Sequence, residues 1–150
     1  MMNKQLNQVM NNFLKLIEIV ANGKKKVFQC GEDTVLYRGE IHMLKMIGDH
    51  PGIYISEMAR CFKITRAVVS KTIIKLEEKG LVRKEEDPEN KKLVCLYLTP
   101  RGQKACDFHD AFHLQNDREI FEFLEGLDEQ EVAVIQTFLE KAQSMINKHF

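Results

Sequence analysis

Two histidines, His109 and His113, lie four residues apart in the C-terminal third of the chain. On an α-helix this spacing places both imidazole rings on one face. Imidazole is a preferred ligand of zinc and other transition metals, so such a pair can begin a metal site. Phe108 and Phe112 flank the pair, and polar residues half-buried beside aromatic rings can serve packing alone. The spacing therefore leaves a metal site and a packing role both open.

The chain has four cysteines, and none of them forms a CxxC pair: Cys30, Cys61, Cys95 and Cys106. The N-terminus lacks the apolar stretch of a signal peptide, so reduced thiols and a cytoplasmic location are expected. No apolar run approaches the roughly 20 residues that span a bilayer, so no membrane partner is expected. No cysteine has an evident activating neighbour, which disfavours a thiol-based redox switch.

Basic side chains concentrate in the middle of a chain that has no net charge. Its 22 Lys and Arg residues balance its 22 Asp and Glu residues. Residues 56–104 nevertheless carry a net charge of +5, and residues 105–150 carry −7. This partition indicates separate roles, with phosphate contact assigned to the basic part. The GxGxxG, P-loop, GxSxG and HExxH motifs are missing from the sequence, which argues against an enzyme.

The apolar spacing predicts a mainly helical chain. The predicted helices cover residues 6–20 with a stop near Gly23, 38–47, 56–62, 65–79, 100–124 and 128–146. Ser56, Thr65 and Thr99 are predicted N-caps, and Asp128 with Glu131 is a predicted capping box. The first helix and the last two carry apolar stripes that a small domain cannot bury. We therefore expect them to join two chains in a homodimer.

The basic middle segment predicts a winged helix-turn-helix. Only residues 62–64 separate the two helices there, which is typical of a helix-turn-helix. Two β-type runs follow at 81–84 and 93–98, joined by a polar turn at Asp87-Pro88. These runs predict a two-stranded wing with a charged tip.

Five ordered motifs resemble the MarR family of bacterial transcription regulators. They are ISEMA at 55–59, ITRAVVSK at 64–71, LEEKGLVR at 76–83, DPENKK at 87–92 and LTPRG at 98–102. The resemblance implies a single MarR-type chain over 1–150, with a winged-helix DNA-binding lobe at 35–104. Residues 1–34 and 105–150 would form the helical dimerisation lobe. Such proteins bind pseudo-palindromic operators and respond to a small ligand, a metal or an oxidant.

The helix at 65–79 and the wing tip supply the candidate DNA contacts. Arg66 is expected to read guanine in the major groove, because its guanidinium can donate two hydrogen bonds to that base. Lys75 is expected to contact phosphate. The other candidates are Thr65, Ser70 and Lys71 on the helix, and Asn90, Lys91 and Lys92 at the wing tip. Family members often carry Arg at the positions of Lys91 and Lys92, and an Asp at the position of Asn90. A lysine is a point charge, so phosphate contact is favoured over reading of the minor groove.

The histidines also resemble those of one subgroup, the zinc-sensing regulators of zinc uptake in streptococci and lactococci. His42, His109 and His113 line up with the three histidines of its primary site, and Cys30 with the cysteine of its second site. The chain departs from the subgroup where its other ligands fall near Lys24, Ile41 and Phe108. Glu32, Asp33, Glu40, Asp107 or water would then complete a site.

These patterns favour a homodimeric repressor that binds duplex DNA and has no catalytic activity. No cofactor is required, and zinc or a small aromatic compound is the expected effector. A metal-dependent enzyme is one alternative, since His109, Asp110 and His113 suggest hydrolytic metal chemistry. A winged-helix adaptor that binds proteins is the other, but it would not need a basic face on the helix at 65–79.

Overall fold

The computed structural model describes residues 3–23 and 27–149, so Lys24 lies outside the described residues. In chain order the elements are α1 Lys4–Asn22, β1 Val27–Gln29, β2 Val35–Tyr37, α2 Arg38–Asp49, β3 Ile53–Tyr54, α3 Ile55–Phe62, α4 Arg66–Glu78, β4 Val82–Glu86, β5 Val94–Leu98, α5 Pro100–Asn116, α6 Arg118–Glu125 and α7 Glu129–His149. The mainly helical class and the two-stranded wing, formed by β4 and β5, are confirmed.

The chain divides into two compact units, one up to His109 and one from Asp110 onward. The first unit holds a core of apolar side chains from α2, α3, α4 and the strands, among them Leu44, Met58, Ile73 and Leu96. The predicted DNA-binding lobe at 35–104, with dimerisation segments on either side, stays a prediction.

Two short antiparallel sheets lie in the first unit. β5 is the central strand of the sheet β3-β5-β4, with Ile53 opposite Leu96 and Val82 opposite Leu98. β1 pairs with β2 in a separate hairpin. Neither this hairpin nor β3 is predictable from the sequence, because strands of two or three residues show no apolar alternation.

The predicted N-cap at Ser56 is wrong. α3 begins at Ile55, and Tyr54 is its N-cap. The Tyr54 backbone N–H donates to Glu57 Oε2 at 2.9 Å, as in the reciprocal half of a capping box. Ser56 therefore lies inside the first turn of α3, and Glu57 accepts the hydrogen bond from the N-cap backbone.

The predicted long helix to Leu124 is also wrong, because two helices occupy this segment. α5 ends at Asn116 and α6 begins at Arg118. The Asn116 side-chain amide donates to the Phe112 carbonyl at 2.7 Å. Asn and Asp side chains compete in this way with the helical backbone, and the adjacent pair Asn116 and Asp117 ends α5.

The other predicted helix caps are confirmed. Thr99 Oγ1 accepts a hydrogen bond of 3.0 Å from the Gly102 N–H at the start of α5. Asp128 and Glu131 form both halves of the predicted capping box, at 2.8 and 3.0 Å. Thr65 Oγ1 accepts from the Val68 N–H at 3.3 Å and so caps α4.

Replacement of Thr65 by Ala is expected to lower the free energy of unfolding by about 1 kcal/mol, because the α4 N-terminus loses its side-chain acceptor. Urea denaturation followed by circular dichroism measures this change. Thr137→Ala is the control, since Thr137 lies inside α7 and its hydroxyl donates to the Ala133 carbonyl of its own helix. An equal effect of the two substitutions would remove the capping role.

Candidate nucleic-acid interface

A sharp turn between α3 and α4 sets the angle of the two helices. Lys63 ends α3 in the left-handed region at φ 54°, where a residue with a Cβ is uncommon. The Ile64 N–H then donates to the Ala59 carbonyl at 3.1 Å. Residues 63–65 thus form the connection of a helix-turn-helix, one residue later than the predicted 62–64.

The helix α4 has one buried face and one exposed basic face. Val69, Ile73 and Leu76 are fully buried in the core. The candidate DNA contacts Thr65, Arg66, Lys71 and Lys75 are exposed, and Ser70 is half-buried at the edge. Packing of the apolar face fixes the helix on the unit, and the basic face is open to a ligand of opposite charge.

The wing tip is a turn organised by side chains, with its lysines exposed. Asp87 Oδ1 accepts from the backbone N–H groups of Glu89 at 2.8 Å and Asn90 at 3.1 Å. Asn90 Oδ1 accepts in turn from the Lys92 N–H at 3.1 Å. Asn90, Lys91 and Lys92 are all exposed. Asn90 therefore braces the backbone of the tip.

Acidic residues neutralise the basic side chains on the wing strand β4. Arg83 forms an ion pair with Glu85, and its guanidinium lies 4.5 Å from the centre of the Tyr97 ring. Lys84 Nζ lies 3.5 Å from Glu77 Oε1. Lys91 and Lys92 lie beyond these pairs, at the exposed tip of the wing and close in sequence to the exposed Glu89.

A partly buried ion pair joins the C-terminal end of α4 to α2. Lys79 Nζ donates to Glu40 Oε2 at 3.0 Å and to the Val35 carbonyl at 3.2 Å. Glu40 is buried, and the same oxygen accepts from the Tyr37 N–H at 2.9 Å. Sequence reasoning missed this link, because a pair 39 residues apart leaves no local pattern. The one sequence feature that indicated a hydrogen-bonding role for Glu40 is its position three residues after the N-cap, Tyr37.

Two of the predicted metal ligands come together in the first unit. The His42 and His109 ring centroids are 6.2 Å apart, and the Phe28 ring stands edge-on to His109 at 5.5 Å. His109 is buried whereas His42 is exposed. Zinc holds imidazole nitrogens at about 2.0–2.1 Å, so ligation by both rings requires them to move closer.

The described residues, 3–23 and 27–149, contain no group of three His, Cys, Asp or Glu residues close enough to hold a metal. Cys30 is buried, and this burial raises the pKa of its thiol. A thiol must lose its proton to bind zinc, so this environment opposes ligation at neutral pH. The two histidines thus fit the start of a zinc site, and further ligands have to approach them.

His113 lies four residues beyond His109 on α5 and belongs to the second unit. Its Nδ1 lies 2.7 Å from Asp117 Oδ2. A carboxylate bonded to one ring nitrogen orients the other nitrogen, as around metal-ligating histidines. The same contact also fits a simple helix-end pair, because Asp117 lies at the end of α5.

Comparison with known proteins identifies the family of the segment that holds the helix-turn-helix and most of the wing. Residues 36–94, from β2 to the start of β5, match the model of the MarR family. The chain carries a MarR-family domain. The uncharacterized HTH-type transcriptional regulator YhjH of Bacillus subtilis (strain 168) is 30% identical over 102 residues, which cover 68% of this chain and 58% of that protein. The chain spans less than two thirds of the length of this relative, and the family of the matched region consists of transcriptional regulators, in agreement with the predicted class of this region.

Solved structures share the fold of this chain. Lactococcus lactis ZitR in complex with DNA has a TM-score of 0.74 at 22% identity, covering 96% of this chain and 99% of that one. Streptococcus pneumoniae FabT in complex with DNA has a TM-score of 0.64 at 20% identity, covering 98% and 99%. These likenesses confirm the winged helix-turn-helix fold.

None of the helices within residues 3–23 and 27–149 combines the length and the apolar character that a membrane span requires.

Proposed function

We propose that the protein is a sequence-specific DNA-binding transcriptional regulator, a homodimeric repressor that acts in the cytoplasm on an inverted-repeat operator. The observation that carries this proposal is the two-sided character of α4. Its buried apolar face docks on the core, and its basic face is exposed at the end of a helix-turn-helix. A winged-helix adaptor for proteins would not need that basic face.

The exposed face of α4 suits the major groove of B-form DNA, which admits an α-helix. Arg66 is the first residue of the helix, where side chains reach base edges, and its guanidinium pairs with two acceptors of guanine. Thr65, Ser70 and Lys71 contact nearby bases or phosphates. Lys75 lies further along α4 and contacts phosphate, which sets register without reading sequence.

The wing supplies a second contact beside the recognition helix. Lys91 and Lys92 at its tip approach the phosphates that line the minor groove, and Asn90 holds the backbone that carries them. Both lysines are exposed, and each contact with phosphate releases a counterion. The wing therefore adds salt-dependent affinity and little base specificity.

A second copy of the chain is the proposed partner of the terminal helices. Described residues of α1 leave large apolar side chains exposed, including Leu6, Ile19 and Val20. In the second unit, Phe121 and Phe123 of α6 are each about 60% exposed. Exposed apolar surface of this kind marks a protein interface. A twofold dimer presents two α4 helices and so requires an operator with two inverted half-sites.

DNase I footprinting on the gene's own promoter tests the operator geometry. We expect one protected region that contains an inverted repeat, with half-site centres about one helical turn, or roughly 34 Å, apart. Gel filtration with light scattering should give twice the chain mass of 17.5 kDa. A protected site without twofold symmetry, or a monomer at assay concentration, would contradict the dimeric operator model.

We further propose zinc as the effector, with His42, His109, His113 and Cys30 as its ligands. The proximity of the His42 and His109 rings in the first unit supports this proposal. His113 follows His109 by four residues on the same helix, a spacing that suits two ligands of one metal. The likeness to ZitR, described as a zinc-responsive MarR family member, is a further reason to test zinc. A small aromatic acid is the alternative effector.

Replacement of His109 by Ala is expected to weaken zinc binding at least about tenfold, because even residues that only orient a ligand are worth 10–100-fold in metal affinity. Competition with a zinc-binding dye measures the change.

The zinc affinity of the wild-type protein should also rise with pH. Burial raises the pKa of the Cys30 thiol, and the thiol must lose its proton before it binds zinc.

The matched control for zinc binding is His149→Ala, which removes an exposed histidine at the end of α7. It should leave zinc affinity unchanged. Equal, weak zinc binding by the wild type and both variants would eliminate the site, and DNA binding would then have to respond to another effector.

A further inference from the structure

One hydrogen bond ties the wing to the start of α3. The Tyr54 hydroxyl donates to Asp87 Oδ2 at 2.5 Å, across 33 residues of sequence. Tyr54 is the N-cap of α3 and the last residue of β3, whereas Asp87 follows β4 in the wing loop. The bond therefore joins the body of the helix-turn-helix to the loop that carries the wing tip.

Asp87 connects this hydrogen bond to the rest of the wing tip. Its Oδ2 also lies 3.9 Å from Cys95 Sγ on β5, while its Oδ1 accepts from the backbone of Glu89 and Asn90. The Asn90 side chain then holds the Lys92 N–H. A continuous series of bonds thus runs from the Tyr54 ring to the backbone of the tip lysines.

The ionisation states of the pair keep this bond in place near neutral pH. The bond to Asp87, with burial, raises the pKa of Tyr54 to about 12, so its hydroxyl remains a donor. The bond from Tyr54 and the backbone N–H of Glu89 lower the pKa of Asp87, so its carboxylate remains an acceptor. A charged acceptor makes the bond stronger than one between neutral groups.

We propose that Tyr54 is a positioning residue for DNA binding, whose hydroxyl holds the wing tip where Lys91 and Lys92 meet the phosphates. The inference rests on the proposed function, because it assigns the wing a DNA contact. A tip that is already ordered loses less conformational entropy when it binds. Tyr54 itself touches no DNA in this account and acts through Asp87.

The first test needs no DNA. Hydrogen exchange by NMR in Tyr54→Phe should show faster exchange, at least about threefold, at the amides of Glu89 and Asn90, because Asp87 is no longer fixed. Tyr97→Phe is the matched control, since it removes a hydroxyl from β5 and keeps the ring beneath Arg83. Unchanged exchange in Tyr54→Phe, or an equal change in Tyr97→Phe, would overturn the proposal.

The second test is a double-mutant cycle measured by fluorescence anisotropy on a duplex of the gene's own promoter. Tyr54→Phe should weaken binding about three- to tenfold in the wild-type background and by less than about twofold when Lys91 and Lys92 are both Ala, since coupled residues are non-additive. In the Arg66→Ala background, Tyr54→Phe should still weaken binding about three- to tenfold, because Arg66 contacts DNA from α4 and not from the wing.

Three outcomes separate the possibilities. An equal loss in all backgrounds would mean a general loss of folded protein and would overturn the positioning role. Wild-type affinity in Tyr54→Phe would overturn it as well. If the wild-type protein does not prefer its promoter to a scrambled duplex, the proposed function fails instead, and the exchange rates at Glu89 and Asn90 still decide whether Tyr54 orders the wing.

Discussion

Arg66→Ala is expected to lower affinity for the gene's own promoter about tenfold to a hundredfold, since one bidentate contact to guanine is worth about 1–3 kcal/mol. Arg66 is exposed at the first position of α4, and Thr65 caps the helix just before it. The side chain can therefore reach base edges without any change in the buried face of α4. Affinity for a scrambled duplex should fall far less, because that duplex offers phosphate contacts alone.

Lys75→Ala provides the matched comparison for Arg66→Ala. Lys75 is exposed on the same helix but lies in its last turn, where phosphate contact is expected. Its loss should weaken binding to both duplexes equally and reduce the slope of log affinity against log salt by about 0.9. If Arg66→Ala behaved in the same way, with equal losses on the two duplexes, Arg66 would not be a base-reading residue.

Gly102→Ala is expected to lower the free energy of unfolding by about 3 kcal/mol, the upper end of the usual range for overpacking. A Cβ at Gly102 would overlap the Leu81 carbonyl oxygen and would lie 3.0 Å from the carbonyl carbon. Both atoms are backbone, and the Leu81 carbonyl already accepts from the Thr99 N–H at 3.1 Å. Relief of the clash therefore requires α5 to move away from the residue that leads into β4.

Denaturant unfolding measures the loss of stability in Gly102→Ala, and Gly39→Ala is the matched control. Gly39 is in the first turn of α2, and a Cβ there would meet nothing within 4 Å. Because Ala favours helix over Gly, Gly39→Ala should be neutral or slightly stabilising. If the two variants had equal stability, the contact between α5 and Leu81 would not limit the packing of the winged helix.

The helices and the helix-turn-helix were predictable because their signals are local. Apolar residues at helical spacing mark α4, and Thr65 and Thr99 sit at helix starts where their side chains cap the backbone. The break between α5 and α6 was harder to predict, because the helical pattern of residues 100–124 is continuous except at Asn116 and Asp117. Side-chain bonding to the backbone decided that break.

The candidate site was predictable in part, and the limit is sequence distance. The basic face of α4 follows from helical geometry once Val69 and Ile73 are assigned to the core. Contacts such as Tyr54 with Asp87 join residues far apart in the chain, so no spacing rule indicates them. The histidines illustrate the same limit, because the sequence suggested His42 with His109 but could not give the 6.2 Å between their rings.

The zero net charge of the chain is compatible with DNA binding because the charges are segregated. The +5 of residues 56–104 covers α4 and the wing, while the −7 of residues 105–150 falls mainly in the second unit. Acidic surface of this kind opposes non-specific attraction to DNA. Affinity then depends on correct docking of the basic face.

The most direct test of the account is the affinity of the wild-type chain for its own promoter, compared with a scrambled duplex of equal length, over a series of salt concentrations. Specific sites are typically bound at least about a thousandfold more tightly than non-specific DNA, and affinity falls steeply with salt. We expect a clear preference for the promoter at every salt concentration, with a steep negative salt slope on both duplexes. Equal affinity for the two duplexes throughout the series would contradict the assignment of α4 as a sequence-reading helix.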